Sequence, residues 1–390
     1  MAADIAAERP GPGGALLALV ACQVGLHACT QGARLAAPLQ ALQQGAGAAG
    51  VGLLMALFAL FPALLAVPAG RIADRYGYHR PARLAAGLSM AGALAACTGS
   101  TWALLAAAAL CGAGSGFGMI AVQRTASRMA RDRTERIRIF SWVGLAPAVA
   151  NLAGPLLAGL LIDHLGFRAA FGALAVLPAI TLLLSGAVPR EPPAAAPAAS
   201  APARPAWQLL ASPAFRRLLF INWLVSTSWD VFGFALPIVG HERGLSASAL
   251  GSVLAAYAVA SMAVRVLIPM VAHRLSRRLM MGGALLLTAC IFAVYPWMNA
   301  VWAMAAGAAL LGLALGTIQP AILASVHDVA PPDRQGEALA LRAMSVHLSM
   351  TTMPLLFGLA GAALGAAPLF WLMAGALALG SWRSRGSSAG

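Results

Sequence analysis

The sequence predicts an all-α integral membrane protein with twelve transmembrane helices in two pseudo-symmetric six-helix bundles. Its composition is the first observation: of the 390 residues, 60% are hydrophobic and only 10% are charged, and the mean hydropathy is +0.80. In a soluble globular protein about a quarter of the residues are charged, so that class is excluded. The regular succession of apolar stretches and an internal repeat are the other two observations.

Twelve apolar stretches follow one another with short connections. Each approaches the roughly 20 residues that cross the hydrocarbon layer as a helix, and a helix satisfies its own backbone hydrogen bonds in lipid. The predicted spans are 13–33, 48–69, 82–98, 101–123, 139–162 and 168–188, then 215–238, 249–271, 280–297, 300–324, 339–363 and 365–382. Between the halves, the Pro- and Ala-rich stretch 189–213 predicts a flexible cytoplasmic linker. It separates an N-terminal bundle (1–188) from a C-terminal bundle (214–390).

The basic residues predict the orientation in the membrane. Apart from seven histidines they are all arginine, 26 in number, and on the predicted spans only Arg34, Arg168 and Arg243 lie in odd-numbered connections. This asymmetry follows the positive-inside rule, so both termini are expected in the cytoplasm and the chain in a bacterial cytoplasmic (inner) membrane. It also accounts for the net charge of +14 without a nucleic-acid partner. Because Asp4 and Glu8 precede the first stretch, we expect a retained span rather than a signal peptide.

The second half repeats the first at a displacement of about 200 residues. The matching positions are Gln23 with Asn222, Asp74-Arg75 with His273-Arg274, Gly112 and Gly116 with Gly312 and Gly316, and 155–159 (PLLAG) with 354–358 (PLLFG). Several matches in one register indicate two parallel six-helix repeats. In carriers built this way the substrate site lies between the repeats, near the bilayer midplane.

A polar motif, GRIADRYGYHR at residues 70–80, connects the second and third predicted spans. Together with the twelve spans and the central linker, it resembles the signature of the major facilitator superfamily, and the resemblance covers essentially the whole chain. The type expected within the superfamily is the twelve-helix drug:proton antiporter. The resemblance implies a carrier that alternates between two open states and moves a small solute.

The resemblance also implies a conformational latch on the cytoplasmic side. Its members are Gly70, Asp74, Arg75, Gly77, Arg80 and Arg128. Asp74 is expected to cap the positive N-terminal end of the eleventh span and to meet an arginine at the end of the fourth, for which Arg124 and Arg128 both qualify. The alternative is topology anchoring alone, which explains the arginines but not the acid.

Polar residues form a stripe on the first span and again on the seventh. They are Gln23, His27, Thr30, Gln31 and Arg34, and then Asn222, Ser226, Trp229 and Asp230. Their spacing places each set on one helical face, and intramembrane polar residues are functional candidates. We therefore predict that Gln23, His27, Gln31, Asn222, Trp229, Asp230, Tyr257 and Gln319 line a shared substrate pathway. The alternative is that these side chains bond across helices for packing alone.

Asp230 is the single acid well inside the second bundle on the predicted spans. A buried carboxylate can load and unload a proton, or it can pair with a cationic substrate. A structural ion pair with Arg265 is a third interpretation, although helical rise places Arg265 nearer the cytoplasmic end of its span. His27 is the other candidate for the proton site.

The fifth span contains a second element of the family type, NLAGPLLAG at 151–159. It resembles the superfamily's antiporter element, with Gly154, Pro155 and Gly159 as its core residues, and Pro155 predicts a helix kink. Antiporters of this kind usually carry an arginine in the fourth helix, where this chain has Ala108.

The predicted function is a secondary active transporter for a small organic solute, with proton-coupled efflux as the leading subclass. Uptake of a metabolite or organic ion by symport is the alternative, and a non-transporting sensor that kept the fold is a third. No catalytic set or metal-ligand spacing is present in the sequence, so we expect no enzyme activity, no metal and no cofactor, with the proton gradient as the energy source. The expected partners are the solute and the lipid bilayer, and the chain is expected to be a monomer.

Overall fold

A computed structural model describes residues 12–129, 133–189, 206–271, 277–331 and 334–385. Within these ranges the chain is all-helical and contains no strand, as predicted. Most of the predicted linker, residues 190–205, lies outside the described residues, and so does the His273-Arg274 pair.

Eleven α-helices occupy the described ranges, and one of these helices, the fifth, forms two membrane spans. They are α1 (Pro12–Gln43), α2 (Ala48–Tyr76), α3 (His79–Ala96), α4 (Thr101–Met129), α5 (Arg133–Leu184), α6 (Pro213–Glu242), α7 (Ala247–Val271), α8 (Arg277–Val294), α9 (Val301–Val329), α10 (Gln335–Leu364) and α11 (Ala367–Arg385). Helix α5 breaks at Gly166, whose φ of 80° is outside the helical region, so it forms the fifth and sixth spans. This break lies in the predicted connection between spans 139–162 and 168–188, and the kink at Pro155, which is inside α5, stays a prediction.

Among the described residues, nine helices are long and apolar enough to cross a membrane. The double crossing of α5 is counted there once, and α11 contributes a shorter apolar helix. Helix α3 is absent from that group; it begins with His79, Arg80 and Arg83, which lower its hydropathy. With these three additions the number of crossings is twelve, as predicted, and both ends of the described chain lie on one side. We call this side the terminal end and the opposite side the far end.

The prediction that Arg34 lies in a connecting loop is wrong. Helix α1 continues to Gln43, so Arg34 is about two turns inside it. The predicted span stopped at residue 33 because an arginine is costly in lipid. Inside the protein this residue has a half-buried side chain that lines a cavity.

The two halves use glycine in the same way at matching positions. A side chain at Gly112 or Gly116 on α4 would collide with Phe58 or Pro62 on α2. In the second half, Gly312 and Gly316 on α9 are pressed against α7. The absence of a side chain allows the close approach of backbones that is common between membrane helices, and the repetition confirms the pseudo-symmetry.

The halves meet at the far end through two symmetry-related contacts. Helix α5 packs against α7, where a Cβ on Gly159 would lie 2.5 Å from the carbonyl oxygen of Ala247. Helix α2 packs against α10, where Gly358 faces Ala48 and Gly52 faces the carbonyl oxygen of Pro354. These glycines allow the halves to close tightly at the far end.

Candidate functional site

A cavity of about 180 Å³ lies between the halves. Helices α6, α7, α9 and α10 of the second half line it, and α5 contributes Ala148 and Asn151 from the first half. It reaches Arg265, which lies on the terminal-end half of α7 and is exposed. The close contacts at Gly159 and Gly52 lie at the far end, and the exposed Arg265 lies on the terminal-end side of the cavity.

Asp230 on α6 is the buried acid of this cavity, with a relative exposure of 2%. Ser349 of α10 donates its hydroxyl proton to Asp230 Oδ2 at 2.9 Å. The Ser349 hydroxyl also lies 3.0 Å from the hydroxyl of Thr227, which must be the donor in that pair because Ser349 has already used its single proton. Oδ1 of Asp230 is buried and has no hydrogen-bond partner among the described residues. One carboxylate oxygen is thus held in place, and the other can accept a proton.

Arg34 of α1 lies near the Asp230 site, on the side of the first half. It lines a smaller cavity, of about 30 Å³, which shares Asn151 and Trp229 with the larger one. The charges of Arg34 and Asp230 are near enough to interact, but the two side chains do not form a contact ion pair. A charge at mid-membrane costs about 2.5–3.5 kcal/mol on insertion scales. A half-buried arginine without a contact partner is therefore a strong functional candidate.

An aromatic cluster packs behind Trp229, which lines both cavities, and Tyr257, which lines the larger one. The ring centroids of Trp229 and Tyr257 are 4.3 Å apart, and Phe232 stacks on Tyr257 at 6.0 Å. Phe232 also meets Tyr295 edge to face at 5.5 Å. Such mutual packing holds the Trp229 indole in a fixed position, where it offers the cavity a rigid apolar surface.

Two further arginines contribute positive charge near the larger cavity. Arg265 lines it directly. Arg342 of α10 donates from Nη2 to Gln319 Oε1 at 2.7 Å, and Gln319 lines the cavity. Asn151 Oδ1 and Ser226 Oγ also line it and are buried without a hydrogen-bond partner among the described residues. These atoms can bond to a solute or to water.

The structure brings five of the predicted pathway residues together. Trp229, Asp230, Tyr257 and Gln319 line the larger cavity, and Gln31 lines the smaller one with Trp229. The structure does not place the other three in either lining: Gln23 and Asn222 are buried, at 2% and 1% exposure, with unpartnered amide atoms. His27 lies between Ser115 and Gln31, at 3.2 and 3.3 Å.

Asp163 fastens the first half to the second at the far end. It follows the close contact at Gly159 and accepts hydrogen bonds from the backbone N–H groups of Ala247 at 2.9 Å and Ser248 at 2.8 Å. These groups are the first two of α7, so the carboxylate also faces the positive end of the helix dipole. In the second half, Ala362 stands at the position equivalent to Asp163. The carboxylate contact with a helix start therefore has no counterpart at the symmetry-related interface between α10 and α2.

The predicted latch residues lie at the terminal end. Arg124 Nε donates to Asp74 Oδ1 at 2.9 Å, so of the two candidate arginines it is Arg124 that forms this ion pair. Gly77 has a φ of 69° in the turn between α2 and α3, and the guanidinium groups of Arg75 and Arg80 lie over the Tyr76 ring. The Asp74 side chain is 66% exposed. Whether it caps α10 when the terminal end closes remains a prediction.

Replacing Asp74 by Asn is expected to increase access to the cavity from the terminal end, because the closed state would lose its charged cap. The measurement is the rate at which an impermeant maleimide labels Met350→Cys, a lining position, in a background without the five native cysteines. Labelling in inside-out vesicles and in right-side-out vesicles measures access to the cavity from the two sides of the membrane separately. Arg71→Gln, an exposed charge one turn earlier, is the control. Equal labelling in Asp74→Asn and the parent would rule out the latch.

The sequence did not single out Asp163, Arg342 or Ser349. Arg342 lies within the eleventh predicted span, so the rule that favours intramembrane charges could have identified it. Asp163 is the first residue after the fifth span and has no signal of its own, since its importance depends on where α7 begins. Ser349 is one small polar residue among several in its span.

Comparison with known proteins supports one family. The model described as Major Facilitator Superfamily matches residues 19–225 and, a second time, residues 218–385. No curated protein matches the chain.

The fold is shared with several solved transporters. A POT family transporter in complex with a thioalcohol conjugated peptide has a TM-score of 0.76 at 13% identity, with 94% of each chain covered. A POT family transporter in complex with 5-aminolevulinic acid has a TM-score of 0.75 at 12% identity, also with 94% of each chain covered. A bacterial homolog of the human lysosomal transporter Spinster, inward-facing and unoccupied, has a TM-score of 0.74 at 16% identity, over 97% of this chain and 94% of that one. At these identities the likeness shows the fold alone.

Proposed function

Because the chain belongs to the major facilitator superfamily and is a multi-pass membrane transporter rather than an enzyme, we propose that it is a proton-coupled carrier in which Asp230 takes up and releases the proton. The observation that most supports this proposal is the buried carboxylate of Asp230, which has one oxygen without a hydrogen-bond partner among the described residues and lines a cavity between the halves. The arginine asymmetry supports cytoplasmic termini in a bacterial inner membrane. The terminal end is then the inside, and the cavity is open inward.

Proton and solute are coupled through the opposed charges of Asp230 and Arg34. When Asp230 is ionised, its charge attracts the Arg34 guanidinium across the cavity and competes with any other acid for it. When Asp230 is protonated, Arg34 is released for a solute. Other charged or titratable groups facing Asp230 are Tyr257 and Arg265 of α7, and Arg342 of α10 is joined through Gln319. Proton binding that favours solute binding is the condition for symport, which under an inward proton gradient gives uptake.

Export by proton antiport is the second candidate. The element containing Gly154, Pro155 and Gly159 supports it, because Gly159 packs directly on α7 of the other half. Such close contacts suit an interface that must open and close at the far end. Antiport requires that proton and solute exclude each other, as they would if a cationic solute bound to Asp230.

Flux in proteoliposomes under an imposed proton gradient tests both candidates. The panel contains carboxylates, amines and neutral compounds of similar size. Symport predicts that the solute accumulates on the alkaline side, and antiport predicts accumulation on the acidic side. Flux that is identical with and without the gradient would contradict proton coupling. No flux of any panel member through correctly folded protein would favour the sensor interpretation.

A further inference from the structure

The cavity keeps a positive charge in either protonation state of Asp230. Arg34, Arg265 and Arg342 stand in or next to it, and Asp230 is the one acid among the described lining residues. Guanidinium groups stay protonated in proteins. An ionised Asp230 therefore leaves the set with a net charge of +2, and a protonated one leaves +3. A cationic solute would meet repulsion here, whereas an anionic solute would be attracted.

Arg34 differs from the other two arginines in its depth and its partners. It lies beside Gln31, Met55 and Pro155, on the side of the site that is nearer the far end, where the halves are closed. Arg342 has an acceptor in Gln319, and Arg265 is exposed near the terminal end. The Arg34 guanidinium makes no hydrogen bond or contact ion pair with the described part of the chain. Its planar fork of N–H donors matches the two oxygens of a carboxylate.

The indole of Trp229 is beside this arginine. It lines both cavities, and its packing on Tyr257 fixes its orientation. Leu35 and Leu254 add further apolar surface to the smaller cavity. A cationic anchor next to a rigid apolar surface is suited to a solute with an acid group at one end and an apolar or aromatic body.

We propose that the transported solute is a small organic anion, with its acid group bound by Arg34 and its apolar body packed against Trp229. This inference rests on the proposed carrier function and specifies its substrate class. It also gives Asp230 a second role, since the ionised carboxylate competes with the solute for Arg34. The anion enters from the terminal end past Arg265, and protonation of Asp230 frees Arg34 to bind it.

The test is equilibrium binding to purified protein with charge-matched probes. Benzoate, hexanoate and benzenesulfonate represent the acids, and benzylamine and hexylamine are the cations of similar shape. We expect the acids to bind and the amines not to bind. Arg34→Gln should weaken benzoate binding at least tenfold, and Arg34→Lys should restore part of it. The control is Arg168→Gln, which removes an exposed arginine outside the cavity and should bind benzoate as the parent does.

Asp230→Asn separates this inference from the proposed coupling. It should keep or tighten benzoate binding, because the competing carboxylate is gone, and it should remove the pH dependence of that binding. If acids bind in a way that depends on Arg34 but no proton-driven flux is seen, the substrate class is supported. In that case only the proposal of proton coupling is rejected. A preference for amines, benzoate affinity unchanged in folded Arg34→Gln, or no binding of any acid to folded parent protein would each overturn the inference.

Discussion

Replacing Asp230 by Asn is expected to abolish solute accumulation against a gradient while leaving exchange of solute across the membrane intact. The amide mimics the protonated acid in shape and charge but cannot release a proton. A gradient of one pH unit stores about 1.4 kcal/mol per proton, enough for about a tenfold accumulation by one-to-one symport. The variant should therefore equilibrate the solute to a ratio of about one.

The measurement is uptake and counterflow in proteoliposomes with a pH step across the membrane. Asp230→Glu, which keeps a titratable group, should retain part of the accumulation. Glu242→Gln changes an exposed acid at the far end of the same helix and serves as the matched control. Full accumulation by the Asn variant would remove Asp230 from the coupling mechanism and direct attention to His27.

Replacing Asp163 by Ala is expected to shift the carrier towards the state open at the far end. The carboxylate holds the first two N–H groups of α7 from across the interface. Its loss removes these two hydrogen bonds from the closed state, whereas in the open state the N–H groups already bond to water. The glycine contacts at Gly159 and Gly52 remain. We therefore expect a changed balance between two folded states and not an unfolded protein. The population open at the far end should rise severalfold.

Distances between spin labels can measure this shift. Gln43→Cys and His241→Cys place one label at an exposed far-end position of each half. The Asp163→Ala variant should show a larger fraction of long distances, and Asp163→Asn should lie between it and the parent. His164→Ala, an exposed neighbour, is the control. A distance distribution identical to that of the parent would show that the glycine contacts alone close the far end.

The position of each crossing could be predicted from the sequence because it depends on local hydropathy. The predicted spans 249–271 and 339–363 overlap α7 and α10 almost completely, and the predicted span 48–69 lies wholly within α2. The error at Arg34 has the same origin. A hydropathy rule assumes that every span faces lipid, and it ends a span at an arginine that in fact faces the protein interior.

The candidate site could be predicted only in part. Helical spacing grouped Gln31, Trp229 and Asp230, which line the two cavities, and the repeat indicated that the two faces belong together. The same spacing included Gln23, His27 and Asn222, which the structure places outside both cavity linings. Periodicity indicates the direction of a side chain around its helix but not the depth at which the neighbouring helices close over it.

The sequence by itself determined the membrane class, the twelve crossings, the twofold repeat and the family. The first two depend on local hydropathy, and the other two depend on motifs whose spacing can be compared directly along the chain. Only the tertiary structure decided that Arg34 lies near Asp230, that Ser349 holds one of the Asp230 carboxylate oxygens, and that Asp163 binds the start of α7. Each of these pairs joins residues far apart in the chain. Their meeting depends on helix rotation and depth, which are fixed by packing between segments and by the glycines that let backbones touch.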